Sequence, residues 1–349
     1  MLTRFPNEAA RETPVPLRKI KGSASFRLCA LLVGLAGLLI IFPMTVIRVS
    51  SKSVGATDAA ETLAAASEER GSRANGAFIQ TPIWQDEFAQ PLGSGPDPSK
   101  WTHDLGDHGW GNAELQRYTD SPENAFVVAD PEATDGRALV IRARREGRDA
   151  EGHYTSARIK TQAKFVAKFG RIEARLKLPK GQGVWAAFWT LGETIEERGW
   201  PECGEIDIME SLGHEPDKVY GTIHGPGHSG GDNQTTAHYR IGKSDTDPDL
   251  NNSDCREVEK TDFRTGYHVF AVEWQPGRIE WLVDGQAYHS LTPDDLPQFI
   301  LLNLAVGGHW PKYPDSTTTF PQDYRIDYVR VWGDSLHTAS DVLHTSSTP

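Results

Sequence analysis

A chain of 349 residues with 33 Gly, 22 Pro and 10 Trp, built from short apolar runs between turn residues, points to one all-β sandwich or barrel of roughly 200–250 residues beside non-globular segments. The formal charge is −12. Residues 1–56 hold eight Lys/Arg against two acids, which leaves 28 bases against 46 acids for the remainder. That acidic remainder excludes a nucleic-acid partner.

Residues 1–27 form a basic leader, with Arg18, Lys19, Lys21 and Arg27 preceding an apolar run over residues 28–47. A positive flank ahead of about 20 apolar residues predicts export, with the leader cytoplasmic and the rest outside. The run reads equally as a membrane anchor and as a cleaved signal peptide ending near Val54-Gly55-Ala56. The protein is thus expected to be secreted or membrane-anchored, touching the membrane only through this segment. Residues 48–77, rich in Ser, Ala, Glu and Gly, read as a linker, residues 78–334 as the catalytic domain, and residues 335–349 as a flexible tail.

From residue 78 the periodicity is that of strands. In the run from Phe169 to Leu178, Ile172, Ala174, Leu176 and Leu178 alternate with Arg171, Glu173, Arg175 and Lys177, the signature of a half-buried strand. Further strands are expected over 138–143, 184–191, 205–210, 219–224, 267–274, 278–283, 299–306 and 324–332, with a hairpin at Val283-Asp-Gly285. No helix of appreciable length and no internal repeat is expected. Cys203 and Cys255 are the two cysteines beyond the apolar run; one bridge and two lone thiols both remain open. No Cys-X-X-Cys or His-Glu-X-X-His spacing occurs, and the loop Gly225-Pro-Gly227 between His224 and His228 weighs against a zinc enzyme.

The chemistry concentrates in Gly204-Glu205-Ile206-Asp207-Ile208-Met209-Glu210. Alternation puts Glu205 and Asp207 on one face and Ile206 and Ile208 in the core. Glu210 would then point the wrong way, unless one extra residue, a β-bulge near Met209, returns it to the acidic face. Three acids on one face push their proton affinities apart, so that one stays protonated while another ionises. The local pattern alone leaves a solvated strand face as open as a site.

The surroundings decide. Glu205, Asp207 and Glu210 fit a Glu-X-Asp-X-X-Glu signature that resembles the bulged, laminarinase-like branch of glycoside hydrolase family 16. Segments similar to that family follow in its order over roughly residues 80–333: His108-Gly-Trp-Gly-Asn-Ala-Glu-Leu-Gln-Arg-Tyr118, Gly181-Gln-Gly-Val-Trp-Ala-Ala-Phe-Trp-Thr-Leu-Gly192, Thr222-Ile-His-Gly-Pro226, Tyr267-His-Val-Phe-Ala-Val-Glu-Trp274 and Tyr324-Arg-Ile-Asp-Tyr-Val-Arg-Val-Trp332. Ala113 stands where many relatives have Asn, and Ala186 where Pro is common, which bears on subsite shape.

The resemblance implies an all-β, concanavalin A-like β-jelly-roll sandwich with an open concave cleft, acting as a retaining endo-β-1,3-glucanase on β-glucan polysaccharide or oligosaccharide. Glu205 would be the nucleophile, Glu210 the acid/base, and Asp207 a hydrogen-bond partner of the nucleophile. Trp185 and Trp189, at i and i+4 of one strand, with Trp110, Trp200 and Trp310, are expected to stack on pyranose rings, and Asn112, Glu114 and His224 to hydrogen-bond sugar hydroxyls. No cofactor is required for the chemistry. The resemblance also implies a structural calcium held by Glu87, Gly136 and Asp327, and a monomer is expected. The alternatives are a mixed-linkage glucan or galactan hydrolase or transglycosylase, and a glucan-binding protein without activity.

Overall fold

The computed structural model describes residues 81–147, 153–226, 236–240 and 262–333. The leader, the apolar run, the linker, the tail, Cys255 and His228 lie outside the described residues, and with them the expected Cys203–Cys255 pairing. In chain order the strands are β1 (Trp84–Asp86), β2 (Thr102–His103), β3 (Gln116–Tyr118), β4 (Ala125–Ala129), β5 (Arg137–Glu146), β6 (His153–Ser156), β7 (Arg158–Lys160), β8 (Gly170–Lys177) and β9 (Val184–Gly192). After the short helix α1 (Ile195–Arg198) come β10 (Glu205–Leu212), β11 (Lys218–His224), β12 (Thr236–Arg240), β13 (His268–Gln275), β14 (Arg278–Val283), β15 (Gln286–Leu291), β16 (Gln298–Val306) and β17 (Gln322–Trp332).

These strands form two sheets. One carries ten strands in the order β15-β14-β13-β8-β17-β5-β6-β3, with β1 on β17 and β4 on β5; the other runs β12-β11-β10-β9-β16-β7-β2. Consecutive strands pair in β13-β14-β15 and β9-β10-β11-β12, while the pairs β13-β8, β8-β17, β17-β5, β9-β16 and β16-β7 join strands distant in sequence, which is the jelly-roll way of covering one sheet with the other. All nine expected strands are present, and Asp284 and Gly285, with φ of 50° and 79°, close the expected β14–β15 hairpin in the conformation a two-residue turn requires.

Alternation puts Ile172, Leu176, Phe270, Val272, Val329 and Val331 of the ten-stranded sheet against Phe188, Ile206, Ile300, Leu302 and Leu304 of the seven-stranded sheet. Each such side chain contributes roughly 1.5–3 kcal/mol on burial. On the opposite, outer face of the seven-stranded sheet a smaller cluster of Val166, Leu191, Cys203, Phe299 and Leu301, with Trp189 and Ile195 against it, covers one end. The remainder of that outer face is where the acids stand. Ala186 is fully buried in the inter-sheet core, so the Ala that stands there shapes the core and not a subsite, contrary to the sequence expectation.

Candidate active site

The bulge is present. Opposite β9 the register runs Asp207 to Trp189 and then Met209 to Phe188, leaving Ile208 unpaired; opposite β11 it jumps from Asp207–Thr222 to Glu210–Tyr220. Ile208 and Met209 both enter the core, and Glu210 returns to the side of Glu205 and Asp207. The extra residue opposite β9 is thus Ile208, one position before the one expected.

A bulge leaves a backbone group without its ladder partner, and a buried carbonyl so orphaned costs about 1–3 kcal/mol. Here the Asp207 carbonyl accepts a 2.8 Å hydrogen bond from Trp281 Nε1, donated from β14 in the facing sheet. Gly221, beside the bulge on β11, makes room for that indole: a Cβ there would lie 2.5 Å from Trp281 Cδ1. Trp281 and Gly221 therefore fix the aim of the acids without touching the outer face.

The two glutamates have unequal surroundings. Glu205 Oε2 accepts from Trp200 Nε1 at 2.9 Å, and its Oε1 lies 3.7 Å from His224 Nε2. Asp207 Oδ2 lies 3.2 Å from the same nitrogen. Glu210 Oε1 accepts from Trp185 Nε1 at 3.2 Å. Burial, then the Asp207 charge, pushes Glu205 up to about 8, against the pull of His224, Trp200 and Arg158. Burial, then Asp207 and Glu205, raises Glu210 well above the carboxylate range, with the Trp185 hydrogen bond alone opposing. Three groups favour the Glu205 anion and one favours that of Glu210, so Glu205 ionises first and Glu210 keeps its proton. Burial alone would depress His224, but Asp207 and then Glu205 hold it up to about 9, as an imidazolium at neutral pH.

The aromatic residues divide into three groups. Trp200, half exposed, lies 5.6 Å from His224 beside Glu205. Trp310 stands edge-on to Trp185 at 5.4 Å and to Tyr220 at 4.8 Å, beyond Glu210. Trp189 and Trp110 share one guanidinium, with Arg158 Cζ 4.7 Å from the first ring and 4.8 Å from the second. Arg158 is itself held by Asp104 at 2.9 Å. Arg158 thus covers one face of each indole, and Trp110, half-buried, also packs on His108 and Tyr118.

Asn112 and Glu114 are half-buried and bonded within their own segment. Glu114 accepts from Gln116 at 2.6 Å and from Asn112 and Tyr118 at 3.4 Å, and burial raises its pKa. From Trp189 Nε1 a hydrogen bond of 2.7 Å runs to Asn303 Oδ1, and from Asn303 Nδ2 one of 3.1 Å runs to Tyr118. Through Asn303 and Tyr118 these groups brace the 106–118 segment against β16. Sequence reasoning missed Arg158, Tyr220, Asn303, Gly221 and Trp281. Asn303 alone carried a signal, as the polar residue inside the apolar run Phe299–Val306.

The expected calcium ligands do not fit the ion as they stand. The Asp327 carboxylate takes the backbone N–H of Thr134 at 3.0 Å, its hydroxyl at 2.7 Å, and an ion pair with Arg175. Glu87 forms a two-pronged pair with Arg330 at 2.8 Å, and the Gly136 carbonyl accepts from Asp130 N at 2.9 Å. Guanidinium groups supply the positive charge that calcium would bring, whereas the ion needs six to eight oxygens of its own.

Residues 121–330 match the family model described as glycosyl hydrolases family 16. The chain belongs to glycosyl hydrolase family 16. Within this family it is 38% identical over 269 residues to a beta-glucanase of Rhodothermus marinus, covering 72% of this chain and 84% of that protein. Among solved structures it resembles the catalytic domain of an endo-1,3-beta-glucanase (laminarinase) from Thermotoga petrophila, with a TM-score of 0.62 and 44% identity over 74% of this chain and 99% of the other. The endo-beta-1,3-glucanase of Pyrococcus furiosus gives a TM-score of 0.61 and 42% identity, over 72% and 94%.

Proposed function

We propose that this family 16 member is an endo-β-1,3-glucanase that retains anomeric configuration, with Glu205 as nucleophile and Glu210 as acid/base. The observation that carries the reading is the pair of glutamates with unequal partners, Glu205 half-buried and Glu210 buried, brought to one face by a bulge. Glu205, ionised, attacks the anomeric carbon; the glycosidic bond breaks as Glu210 gives its proton to the departing oxygen. Esterified Glu205 has lost its charge, so the repulsion that kept Glu210 protonated falls. Glu210 then takes a proton from water, whose oxygen attacks the same carbon and frees Glu205. His224 pairs with Asp207 and offsets its charge beside the nucleophile.

Trp185, Trp200 and Trp310 flank the two glutamates and offer apolar faces to pyranose rings. The chemistry needs no metal. The basic flank and apolar run of residues 1–47 support action outside the cytoplasm.

The test is a panel of laminarin, lichenan, agarose and xyloglucan with sizing of products. Oligosaccharides released from laminarin, in preference to the others, are expected. Binding of laminarin without cleavage would return the chain to the glucan-binding reading, and preference for agarose would make it a galactanase.

A further inference from the structure

We propose that Glu205, Asp207 and His224 form a binding site for a zinc-type divalent cation, and that the bound ion blocks the nucleophile. The three ligating atoms all lie within 4.8 Å of one another. His224 Nε2 stands 3.2 Å from Asp207 Oδ2 and 3.7 Å from Glu205 Oε1. A tetrahedral ion with bonds of about 2.0–2.1 Å sets its ligands roughly 3.3 Å apart, so the cluster closes around the ion with small side-chain adjustments.

The donor set is two carboxylates and one imidazole, three protein ligands with a fourth position facing the outer side of the sheet. That is the composition of open zinc sites, and it disfavours calcium and magnesium, which require six or more oxygens. His224 coordinates through Nε2 only after the ion displaces the proton it carries at neutral pH, and that proton leaves to solvent. The ligands come from two paired strands, with Glu205 directly opposite His224 in the β10–β11 register, so the backbone sets their spacing.

Two further features point to a cation. Asp207 is 3% exposed, and among the described residues its Oδ2 has as partner only the His224 ring 3.2 Å away, itself one of the three ligands. An ion held between this oxygen and His224 Nε2 replaces their direct pairing, so neither group loses a partner. Trp200 holds Glu205 Oε2, leaving Oε1 turned to the same centre, which is how an outer hydrogen bond aims a metal-binding carboxylate. A divalent ion also offsets the crowding of Glu205, Asp207 and Glu210 more fully than a singly charged imidazolium. An ion in this place takes the lone pairs with which Glu205 would attack and occupies the position of the anomeric carbon.

The experiment titrates zinc chloride into the metal-free, untagged full-length protein by calorimetry, for wild type, His224→Gln and Asp207→Asn, each checked for fold by circular dichroism. One ion per chain is expected, with affinity weakened at least tenfold in both variants. In wild type, zinc should raise KM for laminarin with kcat unchanged, and magnesium should do neither. Zinc binding of wild-type strength in folded His224→Gln, or inhibition that lowers kcat at constant KM, overturns the proposal. Calorimetry reads binding without turnover, so its outcome is independent of the glucanase assignment.

Discussion

Replacing Glu205 with Gln removes an ionisable group that the fold holds at some cost. The folded protein keeps the Glu205 proton up to about 8, whereas the unfolded chain releases it near pH 4.5, the ordinary glutamate value. Between those limits the folded state binds the extra proton, so stability falls as pH rises through the window. At pH 7 the accumulated cost is about 3 kcal/mol, from ~1.4 kcal/mol per pH unit over roughly 2.5 units. Gln is neutral throughout and keeps an oxygen for Trp200, but it loses the attraction of His224. A net gain of about 1–3 kcal/mol at pH 7 follows, which for a domain of this size raises Tm by roughly 2–12 °C. Thermal melts of both proteins at pH 4.5, 7 and 8 measure it. The gain should be near zero at pH 4.5 and largest at pH 8, while laminarin hydrolysis drops by several orders of magnitude. A gain independent of pH, or a Tm below wild type at pH 8, refutes the reasoning.

His224→Gln removes a cation that favours the Glu205 anion, so the acidic limb of the kcat/KM profile should move to higher pH; an unmoved limb separates His224 from the nucleophile. Trp185→Phe removes the one hydrogen bond that lowers Glu210, and the alkaline limb should move to higher pH, with a downward shift contradicting the assignment. Trp281→Phe orphans the Asp207 carbonyl and should cost about 1–3 kcal/mol, with a matching fall in kcat as Glu210 loses its aim; denaturant melts and laminarin kinetics read both, and an unchanged pair would free the bulge from Trp281. Ala113 has φ of 57°, a left-handed conformation that Asn tolerates better than Ala. Ala113→Asn should therefore stabilise by about 0.5–1 kcal/mol in the same melts, and destabilisation would mean that the space there admits no larger side chain.

The strands that sequence located are those with one face in core and one in water, such as β8, where Ile172, Ala174 and Leu176 alternate with charged residues. Strands β1, β2, β3, β4, β6, β7 and β12 went unread because runs of two to five residues carry too few alternations. The bulge was legible from parity, because three acids on a strand cannot share a face at spacings of two and three otherwise. Which residue bulges was not, since Ile208 and Met209 are both apolar and both buried. Trp281, 74 residues from the carbonyl it satisfies, and Arg158, lodged between indoles from two other segments, depend on tertiary contacts that no local pattern encodes. Asn112 and Glu114 show the converse: their place in the family-like segment was legible, their hydrogen bonds with one another, Gln116 and Tyr118 were not.

The most direct test of the account is to trap the covalent intermediate. An activated 2-fluoro-laminaribioside, whose fluorine slows both steps and whose leaving group departs without acid help, is incubated with wild type and with Glu210→Gln, and the protein is digested and sequenced by mass spectrometry. The account predicts one glycosyl adduct, on Glu205 in both proteins. An adduct on Glu210 in wild type, or turnover that leaves no adduct while releasing the α-anomer first, would contradict it.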